Sequence, residues 1–149
     1  MEAFPEPEPV LMASLVLVLA IASLTDLRAR IVPNRLTLAA ALFGLGLAAT
    51  GGAAKLGFAA LTGLAVAAPL LSAALVRPEG MGMGDVKLVG VLGIYLGWQA
   101  WPALLGGLFL AGLTGVLISL GTRTPPSQVA LPLVPFLALG ALPVIVSNL

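Results

Sequence analysis

Charged residues divide the chain into long apolar runs: Val10–Thr25, Leu36–Ala54, Leu56–Val76, Leu88–Thr122 and Thr124–Leu149. The runs do not alternate apolar with polar residues, as the strands of a membrane barrel must. Their many Ala and Gly residues are poor strand formers but suit close helix–helix contact. A helix crosses a bilayer with about 20 residues, within a range of about 17–25. Four of the runs suit one crossing each, the first by extending past its flanking charges. Leu88–Thr122 would measure roughly 52 Å as one helix at about 1.5 Å per residue, too long for a single crossing. It is interrupted at Gly97-Trp98-Gln99-Ala100-Trp101-Pro102, where two indoles mark a turn at headgroup level. The pattern predicts an all-α polytopic membrane protein: one domain over residues 1–149, a bundle of six transmembrane helices at approximately 9–26, 34–50, 54–76, 86–98, 102–121 and 129–148. Gly44, Gly46, Gly106, Gly107, Gly112 and Gly115 are expected at helix contacts.

Composition makes lipid the solvent. The chain is 60% hydrophobic and 9% charged, with a mean hydropathy of +1.13. A soluble domain carries about 25% charged residues, so this surface lacks the polar coat that water demands. A disordered chain and a nucleic-acid binder are excluded with it. The net charge of +1 matters less than its placement. Arg28, Arg30 and Arg35 fall between the first and second helices, Arg77 and Lys87 flank the link between the third and fourth, and Arg123 follows the fifth; Lys55 is the one basic residue in the alternate links. The positive-inside rule assigns the basic links to the cytoplasm and both termini to the outer side. The segment before the first helix holds Glu2, Glu6 and Glu8 and no basic residue. It therefore reads as an exposed leader into that helix, without the basic n-region of a secretory signal.

Candidate chemistry is sparse. With no Cys and no His, disulfides, thiol nucleophiles, Ser-His-Asp triads and Cys/His zinc sites are excluded. Beyond the acidic leader the only carboxylates are Asp26, Glu79 and Asp85, all in the links assigned to the cytoplasm. Each aspartate has an ordinary reading. Asp85 can cap the fourth helix, and Asp26 can mark the end of the first or pair with Arg28 or Arg30. Together they form a candidate dyad, because acids at the membrane edge are costly and tend to be functional. Two close carboxylates cannot both ionise cheaply, so one retains a proton. The ionised partner can then take a proton from water while the other protonates a leaving amine. Gly80, Gly82 and Gly84 lack the full phosphate-binding spacing. They read instead as unobstructed backbone beside Asp85, against which a peptide can lie.

Three segments resemble one family. Gly82-Met83-Gly84-Asp85-Val86-Lys87-Leu88 is similar to the GxGD motif of type IV prepilin peptidases. Asp26-Leu27-Arg28-Ala29-Arg30-Ile31-Val32-Pro33-Asn34 resembles that family's first aspartate motif. Leu131-Pro132-Leu133-Val134-Pro135-Phe136-Leu137-Ala138-Leu139-Gly140 is similar to its C-terminal segment. The resemblance implies a membrane aspartic endopeptidase in the bacterial cytoplasmic membrane. Such an enzyme removes the short basic leader of prepilin and pseudopilin precursors at the cytoplasmic face. It implies Asp26 and Asp85 as catalytic residues and Gly82, Gly84, Lys87 and Asn34 as substrate-binding ones. Lys87 also reads simply as a marker of the membrane boundary. Many family members carry paired CxxC motifs in a cytoplasmic region associated with N-methylation. The cysteine-free chain resembles the peptidase-only form, with no methyltransferase activity, no cofactor and no metal. The expected partners are a prepilin or pseudopilin precursor and membrane lipid. A small ion-coupled transporter or a structural membrane subunit are the competing classes, although transporters place charges near the bilayer midplane and none falls inside these runs.

Overall fold

The structure, a computed structural model, describes residues 9–76, 82–123 and 131–148. The acidic leader with Glu2, Glu6 and Glu8, and the link residues Arg77, Glu79, Gly80 and Met81, lie outside the described residues. The described chain is all-α: α1 (Pro9–Ala29), α2 (Asn34–Thr50), α3 (Ala53–Val76), α4 (Met83–Leu96), α5 (Ala100–Thr122) and α6 (Val134–Ser147). A single 3-10 turn, Gly97–Gln99, joins α4 to α5. Gly97 ends α4 at φ +58°, a conformation that a residue with a Cβ adopts at a cost.

By length and composition, α1, α3 and the nearly continuous stretch Met83–Thr122 can each cross a membrane; α2 and α6 are shorter apolar helices. Burial matches a lipid solvent. Leu64, Leu75 and Leu120 are more than 70% exposed, which an aqueous surface would penalise and hydrocarbon does not. The core gathers on α4, where Val86, Leu88, Val89, Val91, Leu92, Gly93, Tyr95 and Leu96 are all buried. Helices α2 and α3 pack on α4, while α6 packs between α1 and α5.

Backbone proximity joins the helices. A Cβ at Gly93 would meet Thr62 O at 2.6 Å and Gly63 Cα at 2.7 Å, so α3 and α4 touch main chain to main chain. The Thr62 hydroxyl donates to Gly93 O at 2.8 Å across that seam. In the α5–α6 seam, a Cβ at Gly107 would lie 2.8 Å from Leu137 Cα, and Gly140 faces Ala103 O and the Gly107 backbone. Gly44 admits the Tyr95 ring, whose hydroxyl donates to Ala40 O at 3.0 Å. Of the glycines expected at contacts, Gly44 and Gly107 take these places, and Gly106 and Gly115 touch Gly140 and Leu131 at ordinary distances. Gly46 and Gly112 face open space. Helix phase decides this: those two lie on faces turned away from every neighbour.

The antiparallel packing separates two ends. One gathers the C-terminus of α1 and the N-termini of α2, α4 and α6. The other carries the α4–α5 turn, where Asn148 Nδ2 donates to Gln99 Oε1 at 2.6 Å.

Candidate active site

Asp26 lies within the last turn of α1 and is 6% exposed. Its backbone oxygen accepts the Arg30 amide at 2.8 Å, and Arg30 takes a left-handed φ of 52° that turns the chain out of the helix. Val32, buried, and Pro33 then lead into α2. The side chain of Asp26 does not take Arg28 or Arg30 as its hydrogen-bond partner. Its Oδ2 accepts the backbone N–H of Val134 at 3.0 Å in a buried bond. Val134 is the first residue of α6, and its amide is one of the donors that a helix start leaves unpaired. Pro135 lacks an N–H and favours a helix start, so the Pro132-Leu133-Val134-Pro135 sequence presents Val134 as a donor. A buried carboxylate needs such a partner, and an amide at the positive end of a helix suits it.

Asp85 sits on α4, which starts at Met83, three residues earlier than the apolar pattern predicts. Gly82 is the N-cap, so Asp85 occupies the third helical position rather than the cap. Its amide donates to Gly82 O at 3.0 Å. Asp85 is half-buried, and the charge of Asp26 acts on it repulsively. The two aspartates thus share one end of the bundle and one electrostatic field.

The other four expected residues frame this pair. Gly84 presses on the α1–α2 link: a Cβ there would meet Val32 Cβ at 2.9 Å. Gly82 is exposed, with Asp85 Oδ2 as the nearest side-chain atom to a Cβ placed on it. Lys87 and Asn34 are exposed and bound to one another, Lys87 Nζ donating to Asn34 Oδ1 at 2.9 Å. That bond ties the first residue of α2 to the second turn of α4. Sequence reasoning missed Val134 and Val32, the first because its contribution is a main-chain donor. Among the described residues no group of three or more His, Cys, Asp or Glu side chains converges as a metal would require. Chemically, the end offers two interacting carboxylates, one fixed by a main-chain amide and one at the rim.

The family model described as the type IV leader peptidase family matches residues 13–120, a span that includes both aspartates. The prepilin leader peptidase/N-methyltransferase of Aeromonas hydrophila is 35% identical over 138 residues, covering 86% of this chain and 47% of that protein. The proteins of the same description from Pectobacterium carotovorum subsp. carotovorum and Pseudomonas putida are each 44% identical over 62 residues. These stretches cover 42% and 41% of this chain, and 22% and 21% of those proteins. The chain spans about half the length of the Aeromonas relatives it matches. No solved structure matches it.

Proposed function

Because the chain belongs to the type IV leader peptidase family, we propose that it is a membrane-embedded aspartic endopeptidase that removes the leader of prepilins or prepilin-like proteins. Cleavage takes place at the cytoplasmic face of a bacterial inner membrane, where Arg28, Arg30, Arg35 and Lys87 would lie under the positive-inside rule. Both termini then lie on the outer side. The observation that carries this reading is the convergence of Asp26 and Asp85, buried and half-buried, at one end of an otherwise apolar bundle.

The pair holds one proton between two acids, because ionising both would set like charges against each other in a poorly solvated place. The ionised carboxylate removes a proton from water, and the resulting hydroxide adds to the scissile carbonyl carbon. The protonated carboxyl hydrogen-bonds the carbonyl oxygen and then gives its proton to the departing amine, so the C–N bond breaks without a covalent enzyme intermediate. The Val134 amide occupies Asp26 Oδ2, which leaves Oδ1 as the oxygen assigned to the chemistry. The apparent pKa values of such a dyad belong to the pair. Gly82, beside the Asp85 carboxylate and exposed, offers main chain for an extended peptide. Lys87 and Asn34 hold the two aspartate-bearing segments together at the rim and meet the leader there. The reading assigns peptide hydrolysis to this cysteine-free chain, with no methyl transfer and no cofactor.

The test is reconstitution in liposomes with a prepilin precursor. Wild type should release the leader, while Asp26→Asn and Asp85→Asn, nearly isosteric, should insert normally and fail to cleave. Retained cleavage in both variants would remove the dyad, and a chelator should leave the wild-type rate unchanged.

A further inference from the structure

Ile31 and Val32 lie in the non-helical link between α1 and α2. Both are β-branched, which suits a strand, and Pro33 keeps the residue before it out of the helical region. The link is fixed at both ends. Arg30 turns out of α1 with its amide bonded back to Asp26 O. Pro33, at φ −64° and ψ 125°, accepts the Leu36 and Thr37 amides at 3.0 and 3.3 Å and so closes the first turn of α2. The Lys87 bond to Asn34 then ties that turn to α4. Between these anchors the main chain is unpaired. Among the described residues neither Ile31 nor Val32 makes a hydrogen bond to another protein group through its N–H or its C=O. Main-chain groups in a folded protein are paired with protein or with water, so here water has to serve them.

This bare stretch touches both aspartate-bearing segments. Val32 is buried, with Gly84, the residue before Asp85, pressed against it. Ile31 follows Asp26 by five residues and is exposed, which makes it the open edge of the link. A second extended main chain repeats donors and acceptors at the spacing of the first, and pairing of this kind gives affinity without reading side chains. It can replace the water on Ile31 bond for bond. Because the link is already held in shape, little ordering entropy opposes the pairing. Resting on the peptidase reading, we infer that Ile31 is the edge on which the substrate pairs its main chain as a short strand beside the scissile bond. The Ile31 N–H donates to a substrate carbonyl, and the Ile31 C=O accepts a substrate amide. Ile31 is thus a positioning residue that acts through its backbone, and its side chain is incidental.

The experiment uses the full chain in vesicles with a synthetic peptide: a polar leader joined through the scissile bond to an apolar segment of roughly 20 residues. N-methyl groups are placed on one peptide amide at a time around the scissile bond. Successive residues of a strand face opposite ways, so KM should rise about fivefold at alternate amides and stay within about twofold between them. Replacing the amide of residue 31 by an ester should also raise KM about fivefold, with kcat changed less than about twofold. Thermal unfolding should not move in that variant, since the lost N–H has no partner within the protein. Ile31→Val, which keeps the main chain, should match wild type. A peptide carrying one labelled carbonyl should show the infrared band of a strand when bound to Asp26→Asn, and the ester at residue 31 should weaken that band. A flat N-methyl scan, wild-type kinetics in the ester variant, or a helical band for the bound peptide would overturn the inference. A strand band on a wild-type protein that binds the peptide and leaves it uncut would support the edge and overturn the peptidase reading instead.

Discussion

The glycine seams and the candidate site hold helices together by opposite means. Where α3 meets α4 and α5 meets α6, main chain presses on main chain, and neither Gly93 nor Gly140 has room for a methyl group. At the site end, three small ties join the segments: the Val134 amide on Asp26, Lys87 on Asn34, and Gly84 against Val32. In lipid, association rests on packing and a few interhelical hydrogen bonds. The seams therefore bring main chains into direct contact, whereas the aspartate end is joined through single local contacts. On the proposed function, that end also has to admit a water and a peptide carbonyl.

The contrast can be broken from either side. The largest effect belongs to the aspartates: Asp26→Asn or Asp85→Asn should lower the cleavage rate by on the order of 10³-fold or more while thermal unfolding in detergent stays close to wild type. The frame should respond the other way. Gly140→Leu forces the α5–α6 backbones apart and should cost about 3 kcal/mol of stability, read by unfolding in detergent. Gly112→Ala, with nothing within 4 Å of the added Cβ, should be neutral or slightly stabilising. Replacing the amide of residue 134 by an ester removes one donor and leaves every side chain in place. Leader release should slow about tenfold, with a stability change on the order of 1 kcal/mol. The rim tie is worth least: Asn34→Ala or Lys87→Met should change the rate about two- to threefold, and the double variant should be no worse than either single one. A large rise in KM in either would show that contact with the leader outweighs the tie between the helices.

The all-α class was legible because apolar runs without alternation leave a membrane chain little alternative, and because Gly97 to Pro102 punctuate the longest run. Asp26 and Asp85 stood out for a related reason: in so apolar a chain, few groups are able to do chemistry. The start of α4 was not legible, since glycines at 82 and 84 read as loop while the structure uses Gly82 as a cap and Gly84 as a place for Val32 to press. Nor was the role of Val134, because a main-chain donor is the same for every residue except proline. Pairing Lys87 with Asn34 needed the helices docked, as those positions are 53 residues apart in the chain. The α3–α4 seam at Gly63 and Gly93 was missed because a glycine's neighbours are set by helix phase, which uniformly apolar runs do not reveal.

Helices α4 and α6 each have 14 residues, about 21 Å at 1.5 Å per residue, against a hydrocarbon layer of about 30 Å. Both begin at the end that holds the aspartates. If each spans the bilayer, the lipid at that corner has to thin or part, since mismatch is relieved by local deformation at modest cost per ångström. Such a dent draws the aqueous boundary inward, towards the carboxylates. On the proposed function, hydrolysis at the membrane needs a supply of water, and two short helices that both begin at this end provide a route for it through their length.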